Sequence, residues 1–130
     1  MIAAQSETDF SSEFYEYELG RCSAHLFTRL DPRPTAVLCL NDMIALGFIA
    51  GLQSLGIRVP SDVSVIGLDN IHAGVISTPM LTTVSQPALE TGKLAYKILM
   101  EAIYDKNSRN LSVSVEPYLI ERESVIAKKT

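Results

Sequence analysis

The chain has 130 residues, 47% of them hydrophobic and 20% charged, which reads as one soluble globular domain with a real core, not a disordered segment. A net charge of −4 and a pI near 5.1 argue against a free-standing nucleic-acid surface, which would carry a basic face. No apolar run is long enough to span a bilayer, and the start, MIAAQSETDF, lacks the basic and apolar regions of a signal peptide.

Taken in order, Ile2-Ala3-Ala4 reads as a short strand and Gln5 to Glu16 as a polar loop holding Phe10, Phe14 and Tyr15. Leu19, Cys22, Leu26 and Leu30 recur at helical spacing, which predicts a helix from about Tyr17 to Leu30. Gly20 inside it costs about 1 kcal/mol against alanine and so implies close packing. Asp31-Pro32-Arg33-Pro34 ends that helix. The run Ala36 to Leu40 is apolar throughout, as expected of a parallel strand covered on both faces.

Asn41 or Asp42 is placed to cap the next helix, Met43 to Leu55, which is apolar almost all round and so needs cover on more than one side. Gly56 suits the residue just past its end. Val63 to Gly67 is a second strand, with Asp69-Asn70 opening the loop beyond it. Leu81 to Val84 is a short third one. A helix is expected from about Pro87 to Tyr104, with a stripe of Ala88, Gly92, Ala95, Leu99 and Ala102. Lys106 to Asn110 reads as a polar loop, and Val113, Val115 and Tyr118-Leu119-Ile120 as one or two last strands limited by Pro117. Glu121 to Thr130 is charged and expected to fray.

In an open parallel sheet, ligands bind outside the carboxyl ends of the strands. Asn41-Asp42 and Asp69-Asn70 both leave strands on that edge. Asp42 and Asp69 suggest an acid–base pair of a small hydrolase or glycosidase, but helix capping and turn-making account for them more simply. His25 and His72 have no partner at metal-ligand spacing, so no metal and no cofactor are expected. Ser61, Ser64 and Ser85 lack a nucleophile-elbow context, and Gly47 and Gly51 lie in a helix instead of a phosphate loop. Cys39, inside a strand pattern, reads as an inert buried thiol. The residues alone support an α/β binding domain and no catalytic residue.

The string PTAVLCLNDMIALGFIAGLQSLGIRVPSDVSVIGLDN, followed by PMLTTV and PYLIERES, resembles the effector-binding region of the LacI/GalR family of bacterial transcription repressors. Glu18-Leu19-Gly20 departs from the small residue the family usually has before that glycine. The resemblance implies an α/β, three-layer open sheet, mainly parallel: an incomplete lobe of the type I periplasmic-binding-protein kind. It assigns 1–84 to a C-terminal lobe lacking its first strand and helix, 85–110 to a helix that packs on a missing N-terminal lobe, and 111–130 to a return strand and tail. Thr82–Gln86 and Asn107–Ser112 become crossovers.

Carried over by position, Tyr15 is implied to stack on an effector ring, while Asn41, Asp69 and Gln86 contact a sugar or nucleoside-like effector. Asp42 lies beside them, with capping as its expected main role. The resemblance also implies a cytoplasmic homodimer through the Met43–Leu55 helix and the Ile71–Thr78 loop, no enzyme activity, and operator DNA bound only by an absent helix-turn-helix headpiece. The alternative is a periplasmic sugar-binding protein of an ABC transporter with the same fold.

Overall fold

The computed structural model describes residues 12–104 and 112–127. The expected strand at Ile2–Ala4 and the loop at Lys106–Asn110 lie outside those residues, as does most of the Asn107–Ser112 crossover. In chain order the elements are α1 (Ser12–Phe27), β1 (Ala36–Leu38), α2 (Asp42–Ser54), β2 (Ser64–Leu68), α3 (Ala73–Ile76), β3 (Thr82–Ser85), α4 (Ala88–Tyr104) and β4 (Tyr118–Ile120). The strands form one open sheet in the order β1-β2-β3-β4; the first three are parallel and β4 runs antiparallel to β3. The fold is therefore mixed α/β with a mainly parallel open sheet, as the sequence implied.

The core lies between α2 and the sheet, where Ala45, Phe48, Ile49 and Leu52 of the helix meet Cys39, Val63, Val65 and Leu81. Each large aliphatic side chain buried there contributes about 2 kcal/mol. α1 closes this layer from outside by packing on α2 through Ala24 and Phe27, whose ring meets that of Phe48 edge-on at 5.6 Å. The axes come close because Gly20 faces the carbonyl of Ile44 and Gly47 faces that of Tyr17, leaving no room for a Cβ at either point. The packing reason expected for Gly20 is thus this backbone-to-backbone contact.

α1 differs from expectation in two ways. It begins at Ser12, so Phe14 and Tyr15 stand on a helix instead of a loop, and it ends at Phe27. Its buried face is Gly20, Ala24 and Phe27, while Leu19, Leu26 and Leu30 are exposed, as is Cys22. Close approach of two helices selects small residues at the contact, so the larger leucines mark a different face. β1 is also not covered on both sides. It is one of the two edge strands, Leu38 and Leu40 are 72% and 83% exposed, and only Val37 and Cys39 turn toward the core. On the same open face Ala36, Ser64, Ile66 and Val125 line a groove of about 540 Å³.

The tail after β4 is anchored where fraying was expected. Ser124 is fully buried; its Oγ donates to the Val65 carbonyl at 2.6 Å and accepts from the Thr82 N–H at 2.8 Å. Glu123 accepts from the Met80 N–H at 3.0 Å. A charged segment holds here because its polar groups satisfy backbone ends of two strands. α4, by contrast, buries none of its residues, and its Ala88–Ala102 stripe is exposed throughout.

Candidate functional site

Three strands deliver polar side chains to one edge. Asn41 follows β1, Asp69 and Asn70 follow β2, and Gln86 follows β3. Asn41 has extended backbone and its Oδ1 accepts from the Ile44 N–H at 2.8 Å, so it is the N-cap of α2. Capping, assigned in advance to Asp42, belongs to its neighbour.

Asp42 turns inward instead. It has no exposed surface; one carboxylate oxygen accepts from the Thr83 hydroxyl at 2.6 Å and the other from the Ile71 N–H at 2.9 Å. The carboxylate sits against Gly67, where a side chain would collide with it. Burial raises its pKa above the ordinary value, with the nearby charge of Asp69 adding to the rise, while the Thr83 and Ile71 hydrogen bonds and Arg122 oppose it. Asp42 thus ties the loop after β2 to the start of α2. Burial, together with the Asp42 charge, also pushes the Cys39 thiol up to about 11, in keeping with an inert residue.

A cavity of about 440 Å³ opens at this edge, lined by Glu13, Glu16, Asn41, Asp42 and Asp69 with Met43 and Ile71 among its apolar members. Glu13, Glu16 and Asp69 bring three carboxylates to it, the buried Asp42 standing behind them, and among the described residues no basic side chain lines it. Such a lining accepts hydrogen bonds from hydroxyl or N–H groups of a neutral or cationic ligand and repels phosphate or carboxylate. Of the residues expected at the site, Asn41, Asp42 and Asp69 meet here. Gln86 lines an adjoining cavity of about 420 Å³ with Leu68, Val84 and Pro87, and reaches back to donate its Nε2 to Asp69 Oδ1 at 2.9 Å. Tyr15 is 68% exposed on α1 and is not part of the pocket wall, which takes Glu13 and Glu16 from that helix.

Glu13 and Glu16 were missed because their segment read as loop; on a helix, three-residue spacing puts both on one face. Arg122 was missed too. It donates Nη2 to Asn70 Oδ1 and Nη1 to the Leu81 carbonyl, both at 2.7 Å. Among the described residues no group of three or more His, Cys, Asp or Glu is placed to hold a metal ion, and no helix is long and apolar enough to cross a membrane.

Residues 3–125 match the periplasmic binding protein-like domain family. The HTH-type transcriptional repressor PurR of Vibrio cholerae serotype O1 (strain M66-2) is 43% identical over 111 residues, which are 85% of this chain and 33% of that protein. The chain thus spans about a third of the length of the curated relatives it matches. A LacI-type transcription regulator from Bifidobacterium animalis subsp. lactis DSM 10140 superposes with a TM-score of 0.77 at 33% identity, over 85% of this chain and 40% of that one. A LacI family transcriptional regulator from Enterococcus faecalis V583, solved with bound ribose, gives a TM-score of 0.80 at 29% identity, over 87% of this chain and 42% of that one. The chain belongs to the periplasmic binding protein-like domain family, in the form found as the effector-binding domain of LacI/GalR-type regulators.

Proposed function

We propose that this chain is the effector-sensing part of a LacI/GalR-type transcription repressor and that it binds a sugar or nucleoside-like molecule at the Asn41–Asp69 edge. One observation carries the reading: the 440 Å³ cavity stands at the carboxyl ends of parallel strands, where this fold class takes its ligands. The ribose-bound Enterococcus faecalis regulator supports a polyol ligand. Asn41 and Asp69 supply groups that accept from and donate to hydroxyls, Gln86 adds an amide from the side, and Tyr15 is exposed on α1, the helix that brings Glu13 and Glu16 to the wall. The named relatives are regulators, which favours this reading over a transport protein.

In the parent protein, occupancy would alter operator affinity through a coupling free energy between two sites. In this reading contact with DNA belongs to a separate headpiece, and the net charge of −4 disfavours non-specific attraction of this part to a polyanion. The working compartment is then the cytoplasm.

The test is a titration of the ¹⁵N-labelled chain with D-ribose. Shifts are expected at Asn41, Asp69 and Gln86, and Asp69→Ala should weaken binding about tenfold or more, the value of a charged hydrogen bond. Saturable shifts confined to other parts of the chain would refute the site. The acidic wall adds a second expectation. Ribose 5-phosphate should bind more weakly than ribose, and Glu16→Gln should narrow the gap roughly fivefold, the size of one short-range charge repulsion in water.

The same reading includes a homodimer through the Met43–Leu55 helix and the Ile71–Thr78 loop. It is supported by a shallow groove of about 280 Å³ where Leu46, Ile49 and Ala50 of α2 face Ile76, which is largely exposed. Light scattering is expected to give a dimer mass for the parent and a monomer mass for Leu46→Asp; equal masses would remove this face from the interface.

A further inference from the structure

The turn that offers Asp69 to the pocket has an unusual backbone. Asp69 and Asn70 follow one another at φ 110° and 56°. Asp and Asn tolerate that region better than other side chains, but two in succession need holding by their surroundings. The hold comes from two separate pieces of chain. On one side Gln86, the residue immediately after β3, donates to Asp69 Oδ1 at 2.9 Å. On the other, Arg122, two residues past β4, donates Nη2 to Asn70 Oδ1 at 2.7 Å.

Arg122 is itself fixed. Its second arm donates to the Leu81 carbonyl at 2.7 Å and its own N–H to Thr82 Oγ1 at 2.9 Å. The planar fork serves the two acceptors from two separate nitrogens in fixed geometry, whereas an ammonium group must reach both from a single atom. The Asn70 N–H adds a longer bond to Thr83 Oγ1 at 3.3 Å. Gln86 lies where the polypeptide leaves the sheet for α4, and Arg122 lies in the tail past β4, the antiparallel strand beside β3. α4 itself buries no residue.

We infer that Gln86 and Arg122 are positioning residues that clip the Asp69–Asn70 turn to the exit of β3 toward α4 and to the tail after β4, so that the pocket's carboxylate and those two pieces of chain are set together. Its meaning for sensing rests on the pocket reading given above; the clip does not. A ligand that draws Asp69 toward itself must either displace Gln86 or bridge to it, and in both cases the exit toward α4 is affected.

The test uses the ligand-free 130-residue chain and amide hydrogen exchange followed by NMR. Asn70→Gly keeps the backbone accessible at positive φ while removing Oδ1. Arg122→Met and Asn70→Gly should each speed exchange at residues 70 and 71 about tenfold, the value of one good hydrogen bond, with no further change in the double variant. Core amides such as Ala45 and Leu52 should be unmoved. Arg122→Lys should not rescue. Gln86→Ala should raise exchange at Ala88 and Thr91, whose N–H groups bond to the carbonyls of Gln86 and Pro87, while Asp69→Asn, which keeps an acceptor oxygen, should match the parent.

A merely structural Arg122, held for its Leu81 contact, gives a different pattern: Arg122→Met lowers protection uniformly, Asn70→Gly leaves residue 71 untouched, and the two effects add. That pattern overturns the inference. Unchanged exchange in all the variants overturns it as well. Should the clip be found while D-ribose fails to bind, the pocket reading falls by itself; should ribose bind while exchange is unmoved, the clip falls by itself.

Discussion

Gly47→Ala is expected to destabilise the chain by about 3 kcal/mol or more, the upper range for overpacking a tight core. The added methyl group would run into the carbonyl and Cα of Tyr17, which belong to the backbone of α1 and cannot rotate aside. Relief requires α1 to lift from α2, and with it go the burial of Ala24 and the Phe27–Phe48 ring contact. Alanine's better helix propensity returns only about 1 kcal/mol. Against a typical total stability of about 5–15 kcal/mol, the net loss is a large fraction. In thermal unfolding it should appear as a fall of about 10 °C or more. Gly92→Ala in α4 is the control, because nothing lies within 4 Å of its Cβ position; there the midpoint should hold or rise. A Gly47→Ala protein melting with the parent would show that the two helices do not depend on this contact.

What the sequence could convey follows the same division between local pattern and three-dimensional contact. The short apolar runs ending in Asn41 and Asp69, with one long apolar helix between, identify the strand–helix–strand unit and the edge where both side chains emerge. Those features depend on periodicity along a single segment. The N-cap is different. Asn41 and Asp42 are both competent by residue type, and the choice falls to Asn41 because Asp42 meets Gly67, Thr83 and the Ile71 N–H from two other elements. The reach of α1 back to Ser12 was hidden in a polar stretch of weak helical pattern, and losing it concealed Glu13 and Glu16 in the pocket wall. The apolar run in β1 says that cover is favourable on both faces; it does not say whether that cover lies within these residues, and Leu38 and Leu40 remain bare. The charged tail misled in the opposite direction, since Ser124 and Glu123 are anchored by strand ends about 40 to 60 residues earlier in the chain.

Asp42 is where the second large effect is expected. Truncation to alanine leaves the Thr83 hydroxyl and the Ile71 N–H without their acceptors in a buried place and opens a small void. A loss of about 2–4 kcal/mol follows from unsatisfied polar groups and the cavity together. Asp42→Asn is milder, because its amide oxygen still serves Ile71 and the Thr83 hydroxyl can turn to accept from the amide nitrogen. The two variants separate further with pH. Burial raises the Asp42 pKa in the folded chain above its unfolded value, so the folded state holds the proton more tightly. That stability is complete below the ordinary carboxylate range and is lost as pH rises through the raised value. The parent therefore pays for ionising a buried group at higher pH, and Asp42→Asn does not. Asp62, held at about 2 by Arg58, has the opposite sign: its contribution is present above the ordinary range and disappears as pH falls toward that value. Because Asp62 is unchanged in the variant, it cancels in the comparison. Urea midpoints taken from about pH 3.5 upward, starting near the ordinary carboxylate pKa, should show the deficit of Asp42→Asn largest at the acid end and shrinking as pH rises. A deficit that grows with pH would mean that the folded chain prefers the carboxylate, and that the Thr83 and Ile71 bonds outweigh the burial of its charge.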